Sequence, residues 1–479
     1  MAVVRPFRKQ SGSLPAVQRA KTGEKWANMV ESKQMSDPSL ARSAQQCNVT
    51  NVPADLSRVD TTTSITAADA VVPGITSPEK LVTSVQRSAN ATPYGFRDLL
   101  ALDDFERHAK RHLPPMVFQY VAGAVETGTA LRASRDAYGK WALLPRRMID
   151  TAARSATTTL FGQTYDVPFG IAPLGGAAFV AYRGDLRLAE AARTVNMPMI
   201  LSASSLIKLE DVHAQNPDAW FQAYLPGDQT RIDRLTDRVA GAGFRTLVVT
   251  ADTPVLGNRE HNTRSGFSMP MRVTPKVAWQ SATHPHWLLG TVARTFYRHG
   301  VPHFENMEAD RGPPMLSRDA LRNTTARDKL SWDNLRVIRK RWTGTLLVKG
   351  LTTPADVEIA RTCGVDGVIL STHGGRQLDY DVPPIEMLPR IAANKGDLTL
   401  IIDSGIRRGT DILKALALGA DFVLLGRPFL FAAAIGGAPG VLHAARILKD
   451  ELERDMALVG VTRLSELTPD LLHRMCDPI

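Results

Sequence analysis

The sequence predicts an α/β fold, a (β/α)8 barrel of the TIM type, over residues 168 to 460. Eight short apolar runs follow one another, and each has the length and composition of a strand buried on both faces. Segments with helical spacing separate the runs. Eight strand–helix units in series are typical of a closed barrel. A doubly wound open sheet is the alternative, and the lack of a GxGxxG fingerprint disfavours it.

The predicted elements can be placed along the chain from these signals. The strand runs are 169–173, 199–202, 220–224, 247–250, 346–349, 368–371, 400–403 and 423–426. The clearest helical segments between them are 185–195, 231–242, 354–363 and 411–418. Three further helices are predicted ahead of the barrel, at 103–113, 115–125 and 129–138, and Pro114 ends the first of them.

Two regions do not fit a plain barrel. Residues 1–93 are rich in Ser, Thr, Ala and Gln, with Phe7 and Trp26 as their only aromatic residues, so we predict a low-complexity, disordered extension. The barrel domain is then 94–479. Between the fourth and fifth runs, an insertion at about 262–330 exceeds the length that a βα connection needs. It predicts an amphipathic segment with Trp287, Leu288, Leu289, Val292 and Phe296 on its apolar face.

Composition excludes several classes of protein. The chain has 479 residues, 44% hydrophobic and 22% charged, which is ordinary for a globular protein and argues against collagen, a disulfide-rich module or full disorder. The net charge of +10 comes from scattered basic residues, so we predict no nucleic-acid partner. Cys47, Cys363 and Cys476 lack metal-ligand spacing, so no metal site is predicted. We expect a cytoplasmic protein without a membrane span.

Polar residues stand at the ends of the predicted strands, where a barrel of this kind carries its chemistry. These residues are Ser202, Gln222, Tyr224, Thr250, Asp252, Lys349, His373, Arg376, Asp403 and Arg427. One polar strand end is ordinary capping, but so many on one rim indicate a functional site.

Two clusters on this rim suggest different tasks. Gly405 with Arg407, and Gly426 with Arg427, follow the seventh and eighth strands, where backbone N–H groups and a guanidinium group suit a phosphate. His373 stands beside glycines and precedes Arg376 by three residues. A histidine there suits a general base, and the arginine suits a carboxylate.

The residues from about 104 to 467 resemble the FMN-dependent α-hydroxy-acid oxidases and dehydrogenases, such as glycolate oxidase, L-lactate dehydrogenase and mandelate dehydrogenase. The motifs that carry the resemblance are Val117-Phe118-Gln119-Tyr120, Ile171-Ala172-Pro173, Phe221-Gln222-Ala223-Tyr224, Thr250-Ala251-Asp252-Thr253-Pro254 continuing to Arg259-Glu260, Val348-Lys349-Gly350, His373-Gly374-Gly375-Arg376-Gln377-Leu378-Asp379, and Arg407-Arg408-Gly409-Thr410-Asp411.

The resemblance implies roles for the catalytic and substrate-binding residues. His373 would be the active-site base, and Asp252 would pair with its imidazolium form. Arg259 and Arg376 would hold the substrate carboxylate. Catalytic Tyr120 and Tyr224 would hydrogen-bond substrate oxygens. The residues that would bind FMN are Pro173, Ser202, Gln222, Thr250, Lys349, Asp403, Gly405, Arg407, Gly426 and Arg427.

The resemblance also implies the reaction and the partners. An L-2-hydroxy acid anion would become a 2-oxo acid, and electrons would pass from FMN to oxygen, a quinone or a protein acceptor. The insertion resembles the segment that lies on the bilayer in the membrane-associated relatives, which predicts a peripheral contact on the inner face of the membrane. A lid or an oligomer contact is the alternative. A homotetramer is expected from the family.

Departures from the family pattern leave alternatives open. Thr372 stands where the family has Asn, Ser404 where it has Gly, and Ser204 where glycolate oxidase-like members have Trp. With Gly175 and Gly176 nearby, Ser204 predicts room for a bulky or aromatic side chain. A non-standard substrate for the same barrel is therefore one alternative. A catalytically silent barrel and a flavin-free phosphate-binding isomerase are less favoured, because the whole motif set is present.

Overall fold

The computed structural model describes residues 94–268, 270–317 and 327–475. The predicted extension at 1–93 lies outside the described residues, as do parts of the insertion. Eight parallel strands form one sheet: β1 Phe169–Ile171, β2 Ile200–Ser202, β3 Trp220–Ala223, β4 Thr246–Thr250, β5 Thr345–Leu351, β6 Gly367–Leu370, β7 Thr399–Ile402 and β8 Phe422–Leu425.

The sheet closes on itself, which confirms the predicted (β/α)8 barrel. Each strand pairs with its neighbours in chain order, and β1 pairs with β8. Between β1 and β2, Ile171 forms an isolated parallel bridge with Met199, and its N–H donates to the carbonyl of Pro198 at 2.9 Å. The strands are buried along most of their length because helices cover the outside of the barrel.

Strand register brings the polar ends together. Ser202 pairs with Gln222 across β2 and β3, and Thr250 pairs with Lys349 across β4 and β5. Because all eight strands are parallel, their carboxyl ends meet on one rim. The polar residues predicted from the sequence therefore share one end of the barrel.

Helices follow the strands as the pattern predicted. Those around the barrel are Gly184–Val195, Leu209–Gln215, Gln229–Gly241, Trp332–Arg341, Pro354–Thr362, Pro384–Ala392, Gly409–Ala417 and Arg427–Val459, with a short helix at Ala177–Val180. The helices ahead of the barrel are α1 Leu102–His112, α2 Pro115–Ala122 and α3 Thr129–Asp136.

The second predicted helix ends three residues early. Helix α2 stops at Ala122 because Gly123 is extended, with φ −64° and ψ 159°. The carbonyl of Gly123 accepts hydrogen bonds from the guanidinium groups of Arg376 and Arg427. The chain leaves the helix here to supply main-chain acceptors to the functional rim.

One described helix, Arg427–Val459, is long and apolar enough to cross a membrane. Its most apolar window is 72% buried inside the fold, and its backbone turns at Gly437, where φ is 57°. This helix packs extensively on α1 and on the helix Gly184–Val195, which accounts for its apolar character. It is a core helix of the barrel.

The insertion contains helices at Glu260–Ser265, Pro275–Ala282, Pro285–Trp287 and Arg294–His299, with a π-helical turn at Leu288–Ala293. Three members of the predicted apolar face pack against the barrel, as the lid alternative expects. Trp287 is 2% exposed and donates its indole N–H to the carbonyl of Phe179 at 3.0 Å, and Leu288 and Val292 also pack on the core. Burying a Trp side chain against the barrel stabilises more than leaving it in water.

Four other apolar side chains of the insertion are exposed to solvent. Leu289 and Phe296 are exposed, as the sequence predicted, and they are joined by Trp279 and Tyr297. We call these four residues the outer apolar surface of the insertion.

Candidate active site

A cavity of about 720 Å³ opens at the carboxyl ends of the strands. The predicted site residues that line it are Tyr120, Pro173, Tyr224, Arg259, Lys349, His373, Arg376, Asp403, Gly405, Arg407, Gly426 and Arg427. The other four, Ser202, Gln222, Thr250 and Asp252, are buried at the same rim. The structure thus brings together residues from all parts of the barrel.

His373 and Asp252 form a hydrogen-bonded pair in this cavity. The Nδ1 atom of His373 lies 2.9 Å from Oδ1 of Asp252, which assigns the proton to Nδ1 in the neutral ring. The Nε2 atom is left as an acceptor, 3.5 Å from the hydroxyl of Tyr224. Burial lowers the pKa of His373, and this outweighs the opposite effect of Asp252. The ring is therefore a neutral base near pH 7.

Lys349 occupies the centre of a buried charge network. Its Nζ atom lies 2.9 Å from Oδ2 of Asp403, 3.9 Å from Oδ2 of Asp252 and 2.5 Å from the hydroxyl of Ser371. Burial by itself lowers the pKa of Lys349, but the two carboxylates hold that pKa above its ordinary value. A positive charge thus lies between the His373–Asp252 pair and the end of strand β7.

Three arginines, Arg259, Arg376 and Arg427, meet at the cavity. Arg259 donates to the carbonyl of Arg376 at 3.1 Å, and Arg376 and Arg427 both donate to the carbonyl of Gly123, at 3.0 and 2.9 Å. Burial, followed by repulsion from Arg259 and Arg427, lowers the pKa of Arg376. Burial, followed by repulsion from Arg407, lowers the pKa of Arg427 to about 9. No carboxylate in the described part of the chain reaches salt-bridge distance of these three groups. Such a cluster is built to receive anions.

The tyrosines and Arg407 have partners of their own. The Tyr120 hydroxyl donates to the carbonyl of Gly175 at 2.9 Å, while the ring still lines the cavity. Arg407 lies 3.5 Å from a carboxylate oxygen of Asp103 at the start of α1. Gly405 has φ +94°, and a Cβ there would lie 2.1 Å from the carbonyl oxygen of Ser134. Close packing against α3 is therefore one reason for a glycine at this position.

Two orphaned polar atoms test whether the rim fits FMN. Gln222 Nε2 and Thr250 Oγ1 are buried and have no hydrogen-bond partner among the residues that the structure describes. Native proteins rarely leave such groups unpaired, so they indicate a polar ligand. The heteroatoms of an isoalloxazine ring suit an amide donor and a hydroxyl, and Arg407 and Arg427 at the same cavity suit a phosphate. The residues present fit the cofactor.

The fold and the cavity define an anion-binding barrel with a histidine–aspartate pair and a polar rim suited to a flavin. Residues 109–474 match the family model described as FMN-dependent dehydrogenase. The chain belongs to this family of FMN-dependent α-hydroxy-acid dehydrogenases and oxidases, and its cofactor is FMN.

Individual relatives agree with this assignment. (S)-mandelate dehydrogenase of Pseudomonas putida is 36% identical over 79% of this chain and 94% of its own length. L-lactate dehydrogenase of Ectopseudomonas mendocina (strain ymp) is 37% identical over 78% of this chain and 98% of its own length. The crystal structure of the monotopic membrane protein (S)-mandelate dehydrogenase superposes with a TM-score of 0.71, at 35% identity, over 78% of this chain and 99% of that one.

Sequence reasoning missed several groups in this site. Arg327 lines the cavity from the end of the insertion, outside every motif. Ser371 contacts Lys349, and Gln377 accepts a hydrogen bond from Arg259 at 2.7 Å. The strand-end position of Ser371 was a usable signal, but Arg327 belongs to no periodic pattern. Only the packing of the insertion reveals it.

Proposed function

We propose that the protein oxidises an L-2-hydroxy acid to the corresponding 2-oxo acid, with FMN as the immediate electron acceptor. The observation that carries this proposal is the neutral His373, whose Nδ1 is fixed by Asp252 and whose Nε2 is free to accept a proton beside Tyr224. A base of this kind, facing a group of unpaired arginines, suits an acidic substrate that must lose a proton.

The chain's own residues would divide the work as follows. Arg259 and Arg376 orient the substrate carboxylate, and Tyr120 and Tyr224 contact its oxygens. His373 takes one proton at Nε2, from C2 or from the C2 hydroxyl. Asp252 stabilises the imidazolium that results.

The cofactor would lie along the strand ends. FMN, when bound, would accept the two electrons and the second hydrogen that the substrate's CH–OH group loses. Pro173, Ser202, Gln222, Thr250 and Lys349 would hold its ring system. Asp403 would hold the ribityl chain, and Gly405, Arg407, Gly426 and Arg427 would hold the phosphate. The positive charge of Lys349 would favour the reduced, anionic ring.

The shape of the pocket favours a side chain larger than a methyl group. Ser204 and Gly175 line the cavity, and the Ser204 hydroxyl contacts the sulfur of Met307 at 3.6 Å. Relatives that act on lactate and on mandelate are similarly distant from this chain. We therefore infer that the pocket accepts bulky acids, and comparing turnover of glycolate, lactate and mandelate tests this. A strict preference for glycolate would exclude it.

Anaerobic mixing of the purified holoenzyme with a panel of 2-hydroxy acids tests the main proposal. We expect at least one L-acid to bleach the visible absorbance of the oxidised flavin. The rate of its return in air separates an oxidase from a dehydrogenase that uses a quinone or protein acceptor. Absence of bleaching by every acid would contradict the proposal and favour a non-standard substrate or a silent barrel.

We further propose that the insertion contacts a membrane surface, at the inner face of the bilayer. The relative described as a monotopic membrane protein has the same fold over nearly its whole length. Besides its outer apolar surface, the insertion carries the exposed basic residues Lys276, Arg294 and Arg298, a combination suited to an anionic interface. The homotetramer stays a prediction, which light scattering can measure.

A further inference from the structure

Arg327 is a buried cation that the proposed reaction does not use. It begins the short 3-10 helix Arg327–Lys329, immediately before the helix that leads into β5. The whole residue is 8% exposed, yet it lines the active-site cavity. Arginine is seldom this buried without a paired acid.

The protein contacts of Arg327 leave most of its hydrogen-bonding capacity unused. Its guanidinium carbon lies 4.4 Å from the centroid of the Tyr224 ring, and Nη2 lies 4.0 Å from the sulfur of Met307. Nε is buried without a partner, and no carboxylate among residues 94–268, 270–317 and 327–475 reaches salt-bridge distance. A cation–π contact accounts for the face of the guanidinium group, but its five N–H donors point outward in the plane.

The position of Arg327 places it beside the reacting centre. The Tyr224 ring on which it stacks carries the hydroxyl that lies 3.5 Å from Nε2 of His373. Arg259 and Arg376 reach the cavity from the loops after β4 and β6, whereas Arg327 reaches it from the insertion together with Met307. The cavity thus has a further cationic group, separate from the pair assigned to the C1 carboxylate and from the cations assigned to FMN.

We propose that Arg327 binds a second carboxylate, at the far end of the substrate's side chain, so that the preferred substrates are L-2-hydroxy dicarboxylic acids. This inference rests on the proposed function. A planar guanidinium fork matches a carboxylate with two parallel hydrogen bonds. Ser204 and Met307 line the same cavity as Arg327, so the carbon chain between the two acidic groups would pass beside them. Burial lowers the pKa of Arg327, and the negative charge of a bound carboxylate would raise that pKa again.

Matched substrate pairs test the proposal on the FMN-loaded enzyme. L-2-hydroxyglutarate is compared with L-2-hydroxypentanoate, and 4-carboxymandelate with 4-methylmandelate, since each pair differs chiefly in the distal charge. We expect kcat/KM to favour the charged member of at least one pair by tenfold or more. Arg327→Met should reduce that ratio at least tenfold, and Arg327→Lys should restore part of it. Lys329→Met, which removes an exposed charge from the same short helix, should leave the ratio unchanged.

Equilibrium binding separates this inference from the proposed reaction. Glutarate and pentanoate lack the C2 hydroxyl, so calorimetry with the holoenzyme measures recognition without turnover. Tighter binding of glutarate that is lost in Arg327→Met supports the inference even if no acid bleaches the flavin. Equal preference for charged and neutral acids in the wild type, or a ratio that Arg327→Met leaves unchanged, would overturn it. Arg327 would then only support Tyr224.

Discussion

The hydroxyl of Thr372 donates a hydrogen bond to the hydroxyl of Ser404 across a distance of 3.1 Å. The Ser404 hydroxyl also accepts from the N–H of Gly374 at 3.2 Å and donates to Asp403 at 2.8 Å. These are two positions at which the sequence departs from the family's usual Asn and Gly. The departures are therefore partners, and together they connect the loop that carries His373 to the end of β7.

Exchanging both members of this pair should be tolerated better than exchanging either alone. Ser404→Gly leaves the N–H of Gly374 without its acceptor, and Thr372→Asn places a larger side chain against the Ser404 hydroxyl. We expect both single variants to lose kcat and the double variant to recover much of it. A double-mutant cycle on kcat and thermal stability should give a coupling energy of about 0.5–3 kcal/mol. Strictly additive effects would show that the two departures are independent.

Thr250→Val should separate protein stability from cofactor affinity. The Thr250 hydroxyl is buried and unpaired in the protein, so its removal should leave the apoprotein at least as stable. If the hydroxyl bonds to FMN, the variant should bind the cofactor about 2- to 10-fold more weakly, the value of one hydrogen bond. Melting of the apoprotein and fluorescence titration with FMN measure the two effects. Unchanged FMN affinity would remove Thr250 from the cofactor site.

The apparent pKa of the acid limb in the pH profile of kcat/KM should be lower than the ordinary histidine pKa of about 6.5. In the proposed reaction His373 acts as a base, so activity is lost as pH falls through its pKa, and burial has lowered that pKa. Asp252→Asn removes a charge that raises the pKa of His373, so the limb should move lower still. At the plateau, kcat/KM should fall by about 10²- to 10⁴-fold because the imidazolium loses its counter-ion.

A nearby carboxylate provides the control for this profile. Burial, and to a smaller extent the charge of Asp252, raises the pKa of Asp381, so this carboxylate lies near the site. His373 Nδ1, however, forms its hydrogen bond with Asp252. Asp381→Asn should leave the plateau within a few-fold of the wild type. A wild-type limb above the ordinary histidine value, or an unaltered plateau in Asp252→Asn, would rule out the His373–Asp252 base.

Leu289→Glu should weaken binding to anionic liposomes. The Leu289 side chain is 65% exposed on the outer apolar surface of the insertion, and burying a leucine in an interface is worth about 1.5–3 kcal/mol. We expect co-sedimentation to show that Leu289→Glu binds anionic liposomes with at least tenfold lower affinity than the wild type. Leu458→Glu is the matched control, since Leu458 is 57% exposed on the core helix outside the insertion. Equal loss in both variants, or no binding by the wild type at low salt, would exclude the membrane contact.

The order of the barrel was predictable because its signals are local. A strand buried on both faces must be a short apolar run, and the residues that follow it must lie at the rim. Positions such as Lys349 and His373 could therefore be assigned to the site from their place after a run. The end of α2 could not be predicted, because the carbonyl of Gly123 accepts hydrogen bonds from arginines that follow β6 and β8, far away in the sequence.

The sequence by itself determined the (β/α)8 barrel, the polar rim and the family to which the chain belongs. The tertiary structure alone decided that Trp287 packs inward, that Thr372 meets Ser404 and that Arg327 enters the cavity unpaired. Periodicity and composition record which residues are apolar and how they alternate. They do not record which side chains from separate segments meet, since that depends on how the insertion and the strand-end loops pack against one another.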